Sequence, residues 1–284
     1  MVHIQTSPRL DTVSDVMTRW VITVSPSDSL LKARDVMTQN RTSQLVIVDQ
    51  RNRPIGSISK RDIARFLLDD ATTRDLEQIP VSEASSTPVS TMSPDVAVLV
   101  AARMFDENDL VYAVVANDNP LSGIITETDL CHYFSQKWPG KFKVNDFMNT
   151  DFIFAKSSYP VIHVANGIIF RQPCIPVIDE ELVGILTLSD LLSVSEKIPT
   201  AKSVRAHLND KTELAIITTK DLMTPNPVTT HEETDLAQAA QILIKKSVSS
   251  LPVVDNESKV IGLITKRDIV RALGQIDKKQ ILEA

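Results

Sequence analysis

At 284 residues, 43% of them hydrophobic and 23% charged, the chain can bury a sizeable core without disulfide staples, which excludes a disordered or fibrous protein. A formal charge of -6, with no Lys/Arg run interleaved with aromatics, disfavours a nucleic-acid partner. No apolar stretch approaches the roughly eighteen residues of a membrane span, and "MVHIQTSPRLD" lacks the pattern of a secretory leader, so a cytoplasmic protein with no membrane partner is expected.

Taken in chain order, hydrophobic period separates strands from helices. A first unit opens with "DVMT" at Met17 and continues through strand "WVITV", helix "SLLKARDVM", strands "QLVIVD" and "PIGSIS", and helix "DIARFLL". A second opens with "EASS" around Ala84 and runs through "TPVST", "AVLVAARMF", "VYAVVA", "LSGIIT" and "DLCHYF". "SQKWPGK", around Pro139 and Gly140, separates this pair from the next. The third unit opens with "DFMN" at Met148 and is the most eroded. It is three residues shorter before its glycine, and Gly167 breaks the helix pattern of "PVIHVANGIIF", although strands "CIPVID" and "LVGILT" stay clear. A longer segment, about 195 to 218, contains "TAKSVRAHL", read as an extra helix. The fourth unit opens with "DLMT" at Met223. It continues through strand "NPVTTH", helix "TDLAQAAQILIKK", strand "SSLPVVD", a turn at "NESK", strand "VIGLI" and a helix with Ile269, Val270 and Leu273 on its apolar face.

The expected fold class is therefore α+β, with four tandem β-α-β-β-α repeats at 10–70, 78–136, 142–197 and 216–277. Four of the seven glycines, Gly56, Gly123, Gly184 and Gly262, open the heptads "GSISKRD", "GIITETD", "GILTLSD" and "GLITKRD". Each heptad ends in Asp, with Ser or Thr three residues earlier, just before a helix. That pattern is a capping box, in which the hydroxyl and the acid satisfy the free amides of the first turn. The same helix start offers amides and a positive dipole end to a phosphate, and an ionised Asp accepts from two donors on adjacent carbons, such as a ribose diol. The glycine marks a place where a ligand or a second backbone comes close.

Four such units, each with G-h-h-[ST]-x-x-D after an "LPVVD"-like strand and a "DVMT"-like opening, resemble the CBS domain over nearly the whole chain. The resemblance implies pairing of units through their sheets into two Bateman modules, with adenosine ligands in the clefts between paired units. It puts the ribose-binding acid at Asp62, Asp129, Asp190 and Asp268, and the phosphate-side hydroxyl at Ser59, Thr126, Thr187 and Thr265. The base is expected near Val21 and Ile22 in unit one and Pro227 and Val228 in unit four. One departure is that Ala84 stands where the family has Met in unit two.

Local charge ranks the clefts. Lys60 and Arg61 in unit one, and Lys266 and Arg267 in unit four, lie inside the box, with Arg41 or Lys246 just before the second strand. Unit two has Glu127 there, and unit three Leu188. Phosphates are expected at clefts one and four, and cleft two is empty or takes a less charged ligand. The expected function is a non-enzymatic sensor of AMP, ADP or ATP, with or without magnesium, acting in trans on an effector protein and compatible with a homodimer. The alternatives are a scaffold with vestigial clefts, or binding of S-adenosylmethionine or nucleic acid. No catalytic cofactor or metal is expected: Cys131, Cys174 and the five histidines follow no ligand spacing. Trp20, just ahead of the first strand, is expected to fill an edge of the core, with stacking on a base as the alternative.

Overall fold

A computed structural model of the chain describes residues 10–69, 74–116, 121–193 and 217–276. Unit one comprises α1 (Val13–Val16), β1 (Thr23–Val24), α2 (Leu30–Gln39), β2 (Gln44–Val48), β3 (Pro54–Ser59) and α3 (Lys60–Asp69). Unit two repeats the order with α4 (Val81–Ala84), β4 (Thr91–Met92), α5 (Val98–Glu107), β5 (Tyr112–Ala116), β6 (Leu121–Thr126) and α6 (Glu127–Lys137). Unit three opens with a 3-10 turn at Val144–Asp146 and continues as α7 (Val161–Phe170), β7 (Cys174–Ile178), β8 (Leu182–Thr187) and α8 (Leu188–Leu192). Unit four has α9 (Thr219–Leu222), β9 (Thr224–Pro225), β10 (Thr230–His231), α10 (Leu236–Lys245), β11 (Ser250–Val254), β12 (Val260–Thr265) and α11 (Lys266–Gln275). "TAKSVRAHL" lies outside the described residues.

The hairpin β2–β3 and its counterparts are the apolar runs of the sequence. β11 is buried at all five positions, because helices cover one face and the paired unit the other. Each hairpin carries its register shift at the same place, after Ile47, Val115, Val177 and Val253. The first strands are only two residues long, and unit three has just the bridge Ala155↔Val177 in that place. They are shorter than "WVITV", "TPVST" and "NPVTTH" suggest because the residues ahead of them belong elsewhere.

Those residues cross to the paired unit. Thr18 bridges Ile124 of unit two, Ser86 bridges Ser57 of unit one, Asn149 bridges Leu263 of unit four, and Thr224 in β9 pairs with Ile185 of unit three. The glycine of each heptad is what lets the crossing segment lie down. A Cβ on Gly123 would stand 2.7 Å from Met17 Sδ and 2.9 Å from Thr18 O, and on Gly262 3.0 Å from Met148 Sδ and 3.1 Å from Asn149 O. The repeated Met thus serves the glycine of its partner unit rather than its own. This register also corrects the alignment in unit two: Ser86 matches Thr18, so Ser85, not Ala84, stands at the Met position.

Two cores cut across this pairing. One joins units one and three with the openings of two and four, and the other joins units two and four with those of one and three. In the second, α5 packs on α11, and α6 packs on α10 and α11. Arg103 ties off the end of α11 by donating to Gly274 O and Ile276 O at 2.8 and 2.9 Å. The "SQKWPGK" boundary is anchored, since Trp138 is buried against Phe134 and Tyr133. Gly167 does not interrupt α7: the helix runs through it, and a Cβ there would meet Ile175 Cδ1 at 2.9 Å. Its smallness brings α7 close to β7. Trp20 does not fill the core; it is 93% exposed.

Gly123→Ala is expected to lower unfolding stability by about 1–3 kcal/mol, the usual range for an overpacked site. Gly274→Ala, in α11 with no neighbour nearer than 3.4 Å, is expected to be neutral or to stabilise by up to about 1 kcal/mol. Urea unfolding of both variants checks the contrast, and equal effects would contradict the close-approach argument.

Candidate functional site

The box residues stand where β3, β6, β8 and β12 hand over to α3, α6, α8 and α11. Each Asp gives one oxygen to its own helix turn. Asp129 Oδ2 accepts from Thr126 N at 2.8 Å and Thr126 Oγ1 at 2.6 Å, and Ser59–Asp62, Thr187–Asp190 and Thr265–Asp268 repeat this within 0.1 Å. A hydroxyl has one proton to donate, and here it goes to the carboxylate. The hydroxyls of Ser59, Thr126, Thr187 and Thr265 therefore cap and orient the acid in this arrangement; they reach a phosphate only by re-aiming that proton.

The other oxygen faces the crossing segment. Thr18 Oγ1 donates to Asp129 Oδ1 at 2.9 Å, Ser86 Oγ to Asp62 Oδ1 at 3.3 Å, and Thr224 Oγ1 to Asp190 Oδ1 at 3.3 Å. In unit four the corresponding oxygen of Asp268 pairs instead with Arg271 Nη2 at 2.9 Å. Burial pushes the carboxyls of Asp129 and Asp268 above the ordinary range, against hydrogen bonds from Thr126 and Thr18 and from Thr265 that pull the other way.

The crossing changes which base-side residues accompany which acid. Val21 and Ile22 follow Thr18, so they lie on the segment that meets Asp129 and not Asp62. Pro227 and Val228 follow Thr224 and go with Asp190, and Asp268 is served by the segment after Asn149. Sequence periodicity alone gave no sign of this exchange. The recurrent glycine marks a close approach, without saying between which units.

The basic residues converge on the seam between the two pairs. Lys60 Nζ, at the start of α3, reaches Ser189 Oγ of unit three at 3.0 Å, and Lys266 Nζ reaches Thr128 Oγ1 of unit two at 2.9 Å. Arg267 Nη1 is ion-paired with Asp109 of unit two, whose turn residue holds φ 57°. Arg61 Nε and Arg267 Nη2 are buried with no hydrogen-bond partner among the described residues. Burial draws the Lys60 ammonium below its ordinary pKa, with Asp190 opposing. Arg41 and Lys246 are exposed at the ends of α2 and α10 and take no part in this convergence. Two pairs of cations thus share one region with the starts of four helices, an environment suited to anionic groups. No helix among the described residues is long and apolar enough to cross a membrane.

Comparison with known proteins places this geometry. Protein MJ1225 of Methanocaldococcus jannaschii is 26% identical over 270 residues, 88% of this chain and 94% of that protein. Its crystal structure, of a proposed archaeal homologue of γ-AMPK, matches with a TM-score of 0.80 at 24% identity over 92% of this chain and 99% of that one. The chloroplastic CBS domain-containing protein CBSX2 of Arabidopsis thaliana is 33% identical over 121 residues, 37% of this chain and 51% of that protein. The family model of the CBS domain matches residues 13–69, 81–136, 144–197 and 220–275, and the chain belongs to the CBS-domain family, with four copies of the domain.

Proposed function

We propose that the chain is a regulatory, non-enzymatic protein that binds adenosine nucleotides, AMP, ADP or ATP, in clefts shared by paired units, and passes their occupancy to a partner protein in trans. The observation that carries this reading is the divided use of each box acid. One oxygen is fixed by its own helix turn, while the other, in units one to three, meets a hydroxyl from the opposite unit. A ribose diol offers two donors in place of that hydroxyl, so a bound nucleoside would bridge the same two elements. The base then lies along the segment entering the first strand, and the phosphates run toward the helix starts and the cations at the seam.

The clefts of Asp62 and Asp268, flanked by Lys60 and Arg61 and by Lys266 and Arg267, are assigned to phosphorylated ligands. The cleft of Asp129, with Glu127 in its box, is left empty or to a less charged adenosine compound such as S-adenosylmethionine. Signalling follows if ligand prefers one relative placement of the paired units, because equal affinity for two placements shifts nothing. A second reading, an interaction scaffold, draws on the fact that the boxes already cap their own helices and need no ligand to account for the hydroxyl and the acid.

Thermal melting against adenosine, AMP, ADP, ATP and S-adenosylmethionine, with and without magnesium, separates the two. A ligand at about a hundred times its dissociation constant adds about 2.7 kcal/mol per site, a readable rise in Tm, and a flat response to the whole panel favours the scaffold. Calorimetry on Asp62→Ala and Asp268→Ala is expected to show weakened AMP and ATP binding; unchanged binding in both variants sinks the site assignment. The crossing predicts a further pattern. Ser86→Ala and Asp62→Asn are expected to be non-additive in AMP affinity, whereas Thr18→Ala and Asp62→Asn, which belong to different clefts, are expected to add within about 0.5 kcal/mol.

A further inference from the structure

The arginines of the two basic boxes do not look into open solvent, because unit two sets carboxylates against them. Arg267 Nη1 pairs with Asp109, and its Nε lies 4.0 Å from Glu127 Oε1. Glu127 is the first residue of α6 and its side chain is only 16% exposed. The next residue, Thr128, receives Lys266 Nζ at 2.9 Å, and the Glu127 carboxylate also feels Arg61 from unit one. The corresponding position holds Lys60, Leu188 and Lys266 in the other units, so Glu127 is the single carboxylate of that set.

We propose that Glu127, assisted by Asp109, is a specificity-determining counter-anion: its charge stands where a ligand phosphate would meet Arg267, so that cleft four selects among adenosine compounds by the charge of their tails and couples an anionic tail to proton uptake. This deepens the nucleotide-binding reading and rests on it. A phosphate close enough to pair with Arg267 lies within a few ångströms of Glu127, and at an intermediate dielectric that repulsion costs about tenfold or more in affinity. Protonation removes it, and a neutral carboxyl can donate to a phosphate oxygen. The groups facing Glu127 are Arg267, Lys266 and Asp268 from α11, Arg61 from α3 and Asp109 from the turn after α5, with Asp129 and Cys131 on its own helix.

Burial pushes the Glu127 carboxyl up to about 7, with the cations opposing. An anion beside it raises it further, so binding takes up a proton, and affinity for an anionic tail rises as pH falls through neutrality. Asp109 can leave more easily, since its side chain is 84% exposed and its pairing is that of a surface ion pair.

The experiment is calorimetry on the full chain with adenosine, AMP, ATP and inorganic tripolyphosphate, comparing the parent protein with Glu127→Gln and Asp109→Asn. Gln keeps the shape of Glu, and Asn tolerates the left-handed turn at 109. Glu127→Gln is expected to tighten ATP about tenfold at about pH 8.5 and AMP by less, and to leave adenosine unchanged. The ratio of variant to parent affinity, in which the ligand's own ionisation cancels, is expected to fall toward unity at about pH 6. Asp109→Asn is expected to tighten ATP with no such pH dependence, and it decides the matter if Glu127→Gln fails to fold. Equal ATP affinities for parent and Glu127→Gln at the higher pH, or an equal gain for adenosine, overturn the inference. If no adenosine compound binds any of the three proteins, the nucleotide reading fails, and tripolyphosphate alone then decides: tighter binding to Glu127→Gln supports the counter-anion, and no difference or no binding overturns it.

Discussion

Everything in this molecule depends on a backbone passing over a glycine. Where Thr18 crosses onto β6, its carbonyl oxygen lies 2.9 Å from the point a Cβ of residue 123 would occupy, and Asn149 crosses onto β12 in the same way at 3.1 Å. A side chain at either position forces that backbone to shift. The crossing makes two neighbouring units into one object, since each supplies the other with a short helix, a bridge and, in three of four cases, a hydroxyl on the box acid. It also explains why the apolar clusters do not follow the units: the opening of unit two is buried with units one and three, and that of unit one with units two and four. With cores that cut across the pairs, separating one unit exposes apolar surface in both clusters, and the stability of the chain is shared among all four units.

The same crossing decides how chemistry is distributed. A box acid alone is a helix cap. Set against a residue from another unit, it becomes one wall of a cleft whose two walls belong to different units. The cations come from a second juxtaposition, the seam where Lys60 reaches Ser189 and Lys266 reaches Thr128. On the proposed reading, sugar-side groups report on the pairing of two units, and phosphate-side groups on the meeting of the two pairs. A nucleotide long enough to touch both would be sensitive to both interfaces, whereas a nucleoside would be sensitive to one.

Much of the architecture was legible in the residues because it is local. Strands such as "SSLPVVD" and "CIPVID" announce themselves by continuous burial, helices such as α10 by Leu236, Ala240 and Leu243, and the boxes by the spacing of a hydroxyl and an acid. What could not be read is non-local. Nothing in a repeat tells whether Met17 serves Gly56 or Gly123, because the spacing from Met17 to Gly56 recurs between Met223 and Gly262 and suggests a contact within the unit; only the chain path decides. The offset at Ala84 rather than Ser85 followed from the same blindness, since counting within a unit had no bridge to set the register. Gly167 misled for a different reason. Low helix propensity predicts a break there, but the contact between α7 and β7 outweighs a cost of about 1 kcal/mol. Trp20 sits at a solvent-facing position on a crossing segment, which excludes the expected place at an edge of the core.

Glu127 shows how far a charge can act from the unit that encodes it. Counted within unit two, it lowers the phosphate compatibility of cleft two. In space its oxygen is 4.0 Å from Arg267 of unit four, so its charge is felt at cleft four as well. Asp109 reinforces this, because it occupies in unit two the left-handed turn that Arg41 occupies in unit one, yet it neutralises an arginine of another unit where Arg41 stays exposed and away from the seam. Two repeats with nearly identical backbones therefore have opposite effects on the seam. If nucleotides bind as proposed, ligand preference belongs to the junction between units, and substitutions at equivalent positions need not have equivalent consequences.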